Sequence, residues 1–112
     1  MDTITFQDFL KTDLRVGTIV GVLDFPNARH PAWQLRIDFG ADIGERRSSA
    51  QIKSLYSAAD LLGRQVIAVV NFPPKQIANF FSEVLVLGLD QPGQGVVLLQ
   101  PERPVENGTR VS

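Results

Sequence analysis

Two glycines inside an otherwise apolar strand constrain this chain more than any other feature. In LRVGTIVGV (14–22), alternation puts Leu14, Val16, Thr18, Val20 and Val22 on one face and Arg15, Gly17, Ile19 and Gly21 on the other. Glycine weakens a strand unless a bulge or sharp bend requires it, and a small barrel needs such bends at its corners. The next run, WQLRIDF (33–39), alternates cleanly: Trp33, Leu35, Ile37 and Phe39 point inward, and Gln34, Arg36 and Asp38 point outward. DFPNARHPA (24–32), with two prolines, is the loop between them.

Beyond GADIGE, which reads as a turn, RRSSAQI (46–52) is a third strand with a polar, small-residue face. SLYSAADLLGRQ then predicts a short helix over 57–62, with Ser57 at its cap and Gly63 at the position after its end. RQVIAVVNF (64–72) and SEVLVLG (82–88) are strands that are apolar on both faces, PPKQIANFF between them is irregular, DQPGQG (90–95) is a turn and VVLLQ (96–100) is a last strand. PERPVENGTRVS closes the chain as an exposed polar segment. At the other end, TITFQDFLKT predicts a short helix capped by Thr5 with Asp8 as the acid of a capping box. Its Phe6, Phe9 and Leu10 share one side, and so short a helix must dock that side on something. Five or six short strands with one helix between the third and fourth predict a mainly β chain, a five-stranded OB-fold barrel. A ferredoxin-like sandwich would need two full crossover helices, and only one short mid-chain helix is visible. With 112 residues, one domain spanning 1–112 is expected, large enough for a single core without staples.

Several function classes lose their basis. There is no cysteine, so disulfides and thiolate catalysis are excluded. His30 is the only histidine and sits in the proline-bounded loop, so neither a metal site nor a nucleophile–His–acid triad has support, even with Asp24 and several serines at hand. GADIG and GQG lack the Lys-Ser/Thr and helix of a phosphate loop. No catalysis and no cofactor are expected. The start MDTITFQDFLKTDLR has no basic, apolar leader pattern and no apolar run reaches membrane-span length, which predicts a cytoplasmic protein with no membrane insertion. Net charge is −1, from 11 Lys+Arg against 12 Asp+Glu, so nonspecific nucleic-acid binding would need a local cluster. ERRSSAQIK (45–53), with Arg46, Arg47 and Lys53, is the one candidate.

Binding is the better prospect. An OB-fold works through the face of strands 2 and 3 and the adjoining loops. That face would show Gln34, Arg36 and Asp38, then Arg46, Ser48 or Ser49, and Gln51, without an aromatic stacking platform. Arg36 and Asp38, two apart on one face, could equally be a solvated ion pair. Phe72, Phe80 and Phe81 flank the irregular proline segment, where an apolar patch would mark an interaction site, although two of the three could be core. The strands apolar on both faces point to a covered outer surface, most simply by a second copy in two-fold symmetry. Phe6, Phe9, Leu10, Val84 and Val86 are the expected interface residues.

Taken in order, DLRVGTIVGV, FPNA, RIDFG, SSAQI, GRQVIAVVNFPPKQI and SEVLVLG resemble the tRNA-binding-domain family of OB-folds over about residues 6–110. NFPP, SSAQI, SEVLVLG and VVLLQPERPVENGTR resemble its CsaA branch of export-related chaperones. The resemblance implies a non-catalytic homodimer that binds unfolded or preprotein polypeptides, with possible residual tRNA affinity. Tight tRNA binders in the family carry a pattern like Asn-Leu-Lys-Pro-x-Lys-Met-Arg-Gly where this chain has Asn71 to Asn79. Its three basic positions are here Pro73, Gln76 and Ala78, leaving Lys75 alone nearby, and of the later Ser-Glu-Gly-Met element only Ser82 and Glu83 remain. CsaA relatives carry arginine at Gln76 and a basic residue at Phe81, both lost here. Each lost phosphate contact lowers salt-dependent affinity. A peptide site at Phe72, Lys75, Phe80, Phe81, Arg36 and Arg47 is therefore expected first. A tRNA site at Arg36, Ser49, Gln51, Lys53, Lys75, Ser82 and Glu83 is the alternative.

Overall fold

The computed structural model describes residues 1–112. Helix α1 (Phe6–Leu10) precedes β1 (Leu14–Asp24), β2 (Trp33–Asp38), β3 (Glu45–Ala50) and helix α2 (Ala58–Leu61). Then come β4 (Gln65–Val69), β5 (Lys75–Ile77), β6 (Phe80–Ser82), β7 (Leu85–Val86), β8 (Gly88–Gln91) and β9 (Gly95–Leu98). The main sheet is antiparallel in the order β3-β2-β1-β4-β7, and β5-β6 and β8-β9 form separate hairpins. The sheet's two ends meet beside β7, where Glu83 N–H donates to the Arg47 carbonyl at 2.8 Å, so the sheet curls into a nearly closed barrel. This is the OB-fold layout, with α2 between the third and fourth strands as predicted.

Both helices begin with the expected chemistry. The Thr5 and Ser57 hydroxyls accept from the amides of Asp8 and Asp60, whose carboxylates accept in return from the cap amides. Each box satisfies two amides that a helix start leaves without partners.

The alternation predicted for β1 holds only halfway. Thr18 and Ile19 pair with Asp38 and Ile37, but Gly21 pairs with Arg36, so Val20 is an extra, bulged residue. Val20 is exposed and Ile19 completely buried, on opposite sides as a period of two requires. Past the bulge the phase shifts, so that Val22, expected opposite Ile19, packs against the same core. Gly17 is needed for packing: a Cβ there would stand 2.6 Å from Ile37 Cγ2 and 2.8 Å from Phe39 Cδ1. The core lies inside the barrel around Ile19, Leu35, Ile37, Phe39, Leu61 and Val66. No helix is long and apolar enough to cross a membrane.

Three further expectations are corrected. PPKQIANFF contains the β5-β6 hairpin, pivoting at Ala78, whose φ of 53° is in the left-handed region. The strand expected over 82–88 is broken into the end of β6, β7 and the start of β8, because Glu83 and Val84 turn towards β3. The final segment is exposed over most of its length, as expected, but its backbone at 108–111 is stitched down along β1. β2 covers β1 only from Thr18 onward, so the free edge at residues 14–16 takes the tail instead. Val16 N–H donates to Thr109 O (3.0 Å), Gly108 N–H to Val16 O (2.8 Å) and Val111 N–H to Leu14 O (2.8 Å). Unpaired strand amides and carbonyls are costly, and the tail satisfies them. The approach is close enough that Gly108 and Gly40, both at φ +90°, leave no room for a Cβ against Phe39 O and Asn107 O.

Asp13 ties these parts together. Its carboxylate accepts from Arg15 (2.6 Å) and lies 3.5 Å from Arg110 of the tail, and its amide donates to Asn71 Oδ1 (3.0 Å). The Arg15 hydrogen bond, more than the charges of Arg15 and Arg110, holds the Asp13 carboxyl below its ordinary range. A carboxyl depressed in the folded state contributes stability above its unfolded value, about pH 4, and loses it as pH falls through the folded value. Asp13→Asn is therefore expected to lower Tm by roughly 4–8 °C at neutral pH, as for a loss of about 1 kcal/mol. The gap to wild type should narrow as pH is lowered below about 4. Thermal melts followed by circular dichroism across that range check both.

Candidate functional site

Cross-strand pairing decides which side chains share the outer barrel face. Gln34 opposes Ser49, Arg36 opposes Arg47 and Asp38 opposes Glu45. Arg47 and Ser49 thus face outward, while Ser48 is buried and donates to Val84 O at 3.0 Å. Arg46, expected outward, has the same parity as Ser48. Arg36 does not pair with Asp38. It donates to Glu45 at 3.0 Å and lies flat over Gly21, where a Cβ would come within 2.6 Å of the guanidinium. Asp38 instead accepts from the Gly40 amide at 2.9 Å.

The residues expected to form a tRNA site are mostly occupied. The Ser49 amide donates to Ser82 Oγ (3.0 Å), and the Arg47 amide donates to Glu83 Oε1 (3.0 Å). With Glu83 N–H to Arg47 O, these bonds close the barrel between β3 and residues 82–84. Lys53 ion-pairs with Asp24, whose carboxyl is lowered mainly by that hydrogen bond, and its ammonium sits 4.5 Å above the Trp33 ring. Trp33 is half-buried and donates through its indole N–H to Tyr56 O at 3.0 Å. Gln51 is exposed at the end of β3. No group of three or more His, Asp or Glu side chains is arranged to hold a metal ion.

The peptide-site residues divide into three groups. Phe72, 51% exposed, and Lys75 line an open groove of about 330 Å³ together with Pro73, Ser82, Glu83, Val84 and Leu85. Phe81 is 47% exposed but lies opposite Gln76, on the hairpin face turned away from Lys75 and Ser82. Phe80 is a correction: it is only 6% exposed, its ring 5.4 Å from and tilted 58° to that of Phe25 in a second small core with Ala32, and capped by the Arg47 guanidinium at 5.3 Å. Period two in a two-residue pair puts one ring in and one out, and the inner cluster of loop 24–32 selects Phe80. Arg36 is held on the outer face, and Arg47 lies between Phe80 and Glu83, 3.6 Å from its carboxylate.

Of the expected interface set, Val84 alone is taken up by the chain's own core. Val84 is buried in the main core and Val86 is half-buried against it, whereas Leu85 is 49% exposed. Leu85 was missed, although a strand with Val84 and Val86 inside must turn Leu85 out. Phe6 and Leu10 are exposed, Phe9 is half-buried, and α1 buries no side chain within its own chain. Its end is held by Asn71 and Arg110, which donate to the carbonyls of Lys11 and Leu10.

The two phenylalanines should separate in stability. Phe80→Ala is expected to cost about 3–4 kcal/mol through the cavity it leaves, and Phe81→Ala no more than about 0.5 kcal/mol. Urea unfolding of both variants measures the difference.

With this geometry in hand, the likeness to known proteins is informative. A family model described as a putative tRNA binding domain matches residues 14–110. The methionine–tRNA ligase of Thermococcus onnurineus is 38% identical over 111 residues, 99% of this chain, but the match spans only 15% of that protein's length. The crystal structure of chaperone CsaA from Bacillus anthracis is 51% identical with a TM-score of 0.93, covering 99% of this chain and 100% of that one. That of the CsaA chaperone protein from Picrophilus torridus is 52% identical with a TM-score of 0.92, covering 98% and 100%. The chain belongs to the tRNA-binding-domain family and, within it, to the branch of the CsaA chaperones.

Proposed function

We propose that the protein is a cytoplasmic, homodimeric, CsaA-like chaperone that holds unfolded or preprotein segments and carries out no chemistry of its own. The observation that carries this reading is the open groove walled by Phe72, Pro73 and Leu85, whose Ser82 and Glu83 are hydrogen-bonded within the fold. Extended apolar side chains of an unfolded client would leave water there, at about 25 cal/mol per Å² of apolar surface removed. Self-association is supported by α1, which turns Phe6 and Leu10 to solvent although a five-residue helix has no stability of its own. A second copy covering Phe6, Phe9 and Leu10 would supply the missing contacts.

The test combines two readouts. Light scattering is expected to give twice the 12.3 kDa chain mass. The pure protein is expected to suppress aggregation of a chemically denatured client at near-stoichiometric ratio, and Phe72→Asp to weaken that suppression severalfold without changing the mass. Unchanged client aggregation would sink the chaperone reading, and a monomeric mass would sink the dimer.

The family model's description favours a second reading, a tRNA-binding module using Arg36, Ser49, Gln51, Lys53, Lys75, Ser82 and Glu83. Ion pairing of Arg36 and Lys53 leaves Lys75 as the one cation of that set without a carboxylate. A gel-shift titration with tRNA across salt concentrations is expected to show weak binding with a shallow log–log slope of roughly −1 to −2. A steep slope would mean that several phosphates are neutralised, and would promote the tRNA module over the chaperone.

A further inference from the structure

We infer that the groove selects polypeptide segments in which an acidic residue lies close to an apolar one, with Lys75 as the specificity-determining residue. The inference rests on the reading of the groove as a polypeptide site and adds the chemistry of what it accepts.

Three polar side chains reach the groove, and two of them are spent on the fold. Ser82 Oγ accepts from the Ser49 amide at 3.0 Å and lies 3.4 Å from Val84 O as a donor. Glu83 takes the Arg47 amide at 3.0 Å and faces the Arg47 guanidinium at 3.6 Å. Lys75 is exposed and belongs to no ion pair, unlike seven of the chain's eleven Lys and Arg side chains, namely Lys11, Arg15, Arg36, Arg47, Lys53, Arg103 and Arg110. The groove's unspent polar group is therefore a single ammonium, with Phe72 and Leu85 as the exposed apolar surface beside it.

The backbone at the rim sharpens this. Pro73 and Pro74 have no N–H to donate, so the rim is poorly suited to taking a client as an added strand. Recognition then falls on side chains: an apolar one against Phe72 and Leu85, and a carboxylate within reach of Lys75. A single free cation also argues against a phosphodiester chain, whose recognition draws on several phosphate contacts at once.

The test uses three short extended peptides, each with a central Leu-Phe pair followed by Asp, Asn or Lys, carrying a zwitterionic dye. Binding is read by fluorescence anisotropy at low and high salt, to wild type, Lys75→Gln and Lys75→Glu. The Asp peptide is expected to bind wild type roughly threefold to fivefold more tightly than the Asn peptide, as for one partly exposed charge pair, and the Lys peptide least well. That preference should shrink at high salt, vanish in Lys75→Gln and reverse in Lys75→Glu, while the Asn peptide binds all three proteins alike. The same ranking in wild type and Lys75→Glu would overturn the role of Lys75 while leaving polypeptide binding intact. Failure of all three peptides to bind, with client aggregation still suppressed, would overturn it by moving the polypeptide site away from this groove. Displacement of the peptides by single-stranded RNA in wild type but not in Lys75→Glu would overturn it in favour of a nucleic-acid ligand.

Discussion

The barrel depends on how it closes. Five strands are joined by four ladders, but the seam between β3 and residues 82–84 is too irregular for one. Side chains complete it: Ser48, Ser82 and Glu83 supply hydrogen bonds where backbone partners are missing. An open edge would leave amides and carbonyls without partners and invite pairing with other chains. This need accounts for the small, polar residues of SSAQI in a strand that a generic barrel would fill with valine. It also accounts for Ser82-Glu83, residues that look like ligand contacts in the sequence and are hydrogen-bonded within the fold.

That seam shapes the candidate site. Turning Glu83 and Val84 towards β3 interrupts the strand and leaves Leu85 facing out beside Phe72. The groove is the surface by-product of closure, and the engagement of Ser82 and Glu83 leaves Lys75 its one unspent polar group. A second cluster, Phe25, Ala32 and Phe80, pins the β5-β6 hairpin to the loop after β1, with Arg47 over the Phe80 ring. The two loops that border an OB-fold's working face are thereby joined through a common apolar contact.

Much of the architecture was legible because it rests on local rules. The capping box at Thr5, the cap at Ser57, the clean alternation of 33–39 and the short helix before β4 all follow from spacing, and all are found. The failures share one cause. The phase shift past Val20, the burial of Phe80 and Val84, and the docking of 108–111 along β1 depend on which distant backbone lies opposite. A period of two states that Phe80 and Phe81 point to opposite sides, and leaves open which side is inside.

From the sequence alone come the fold class, the family, the lack of a thiol or a histidine cluster for chemistry, and 71–81 as the segment in which to look for a ligand. The family rests on the resemblance of whole motifs, and the rest on composition and local periodicity, which need no knowledge of neighbours. Only the tertiary structure decided that Phe72 and Leu85, with Lys75 between them in the chain, are the surface on offer. Exposure and free charge are set by contacts between residues far apart in the chain: Ser49 with Ser82, Arg47 with Glu83 and Phe25 with Phe80.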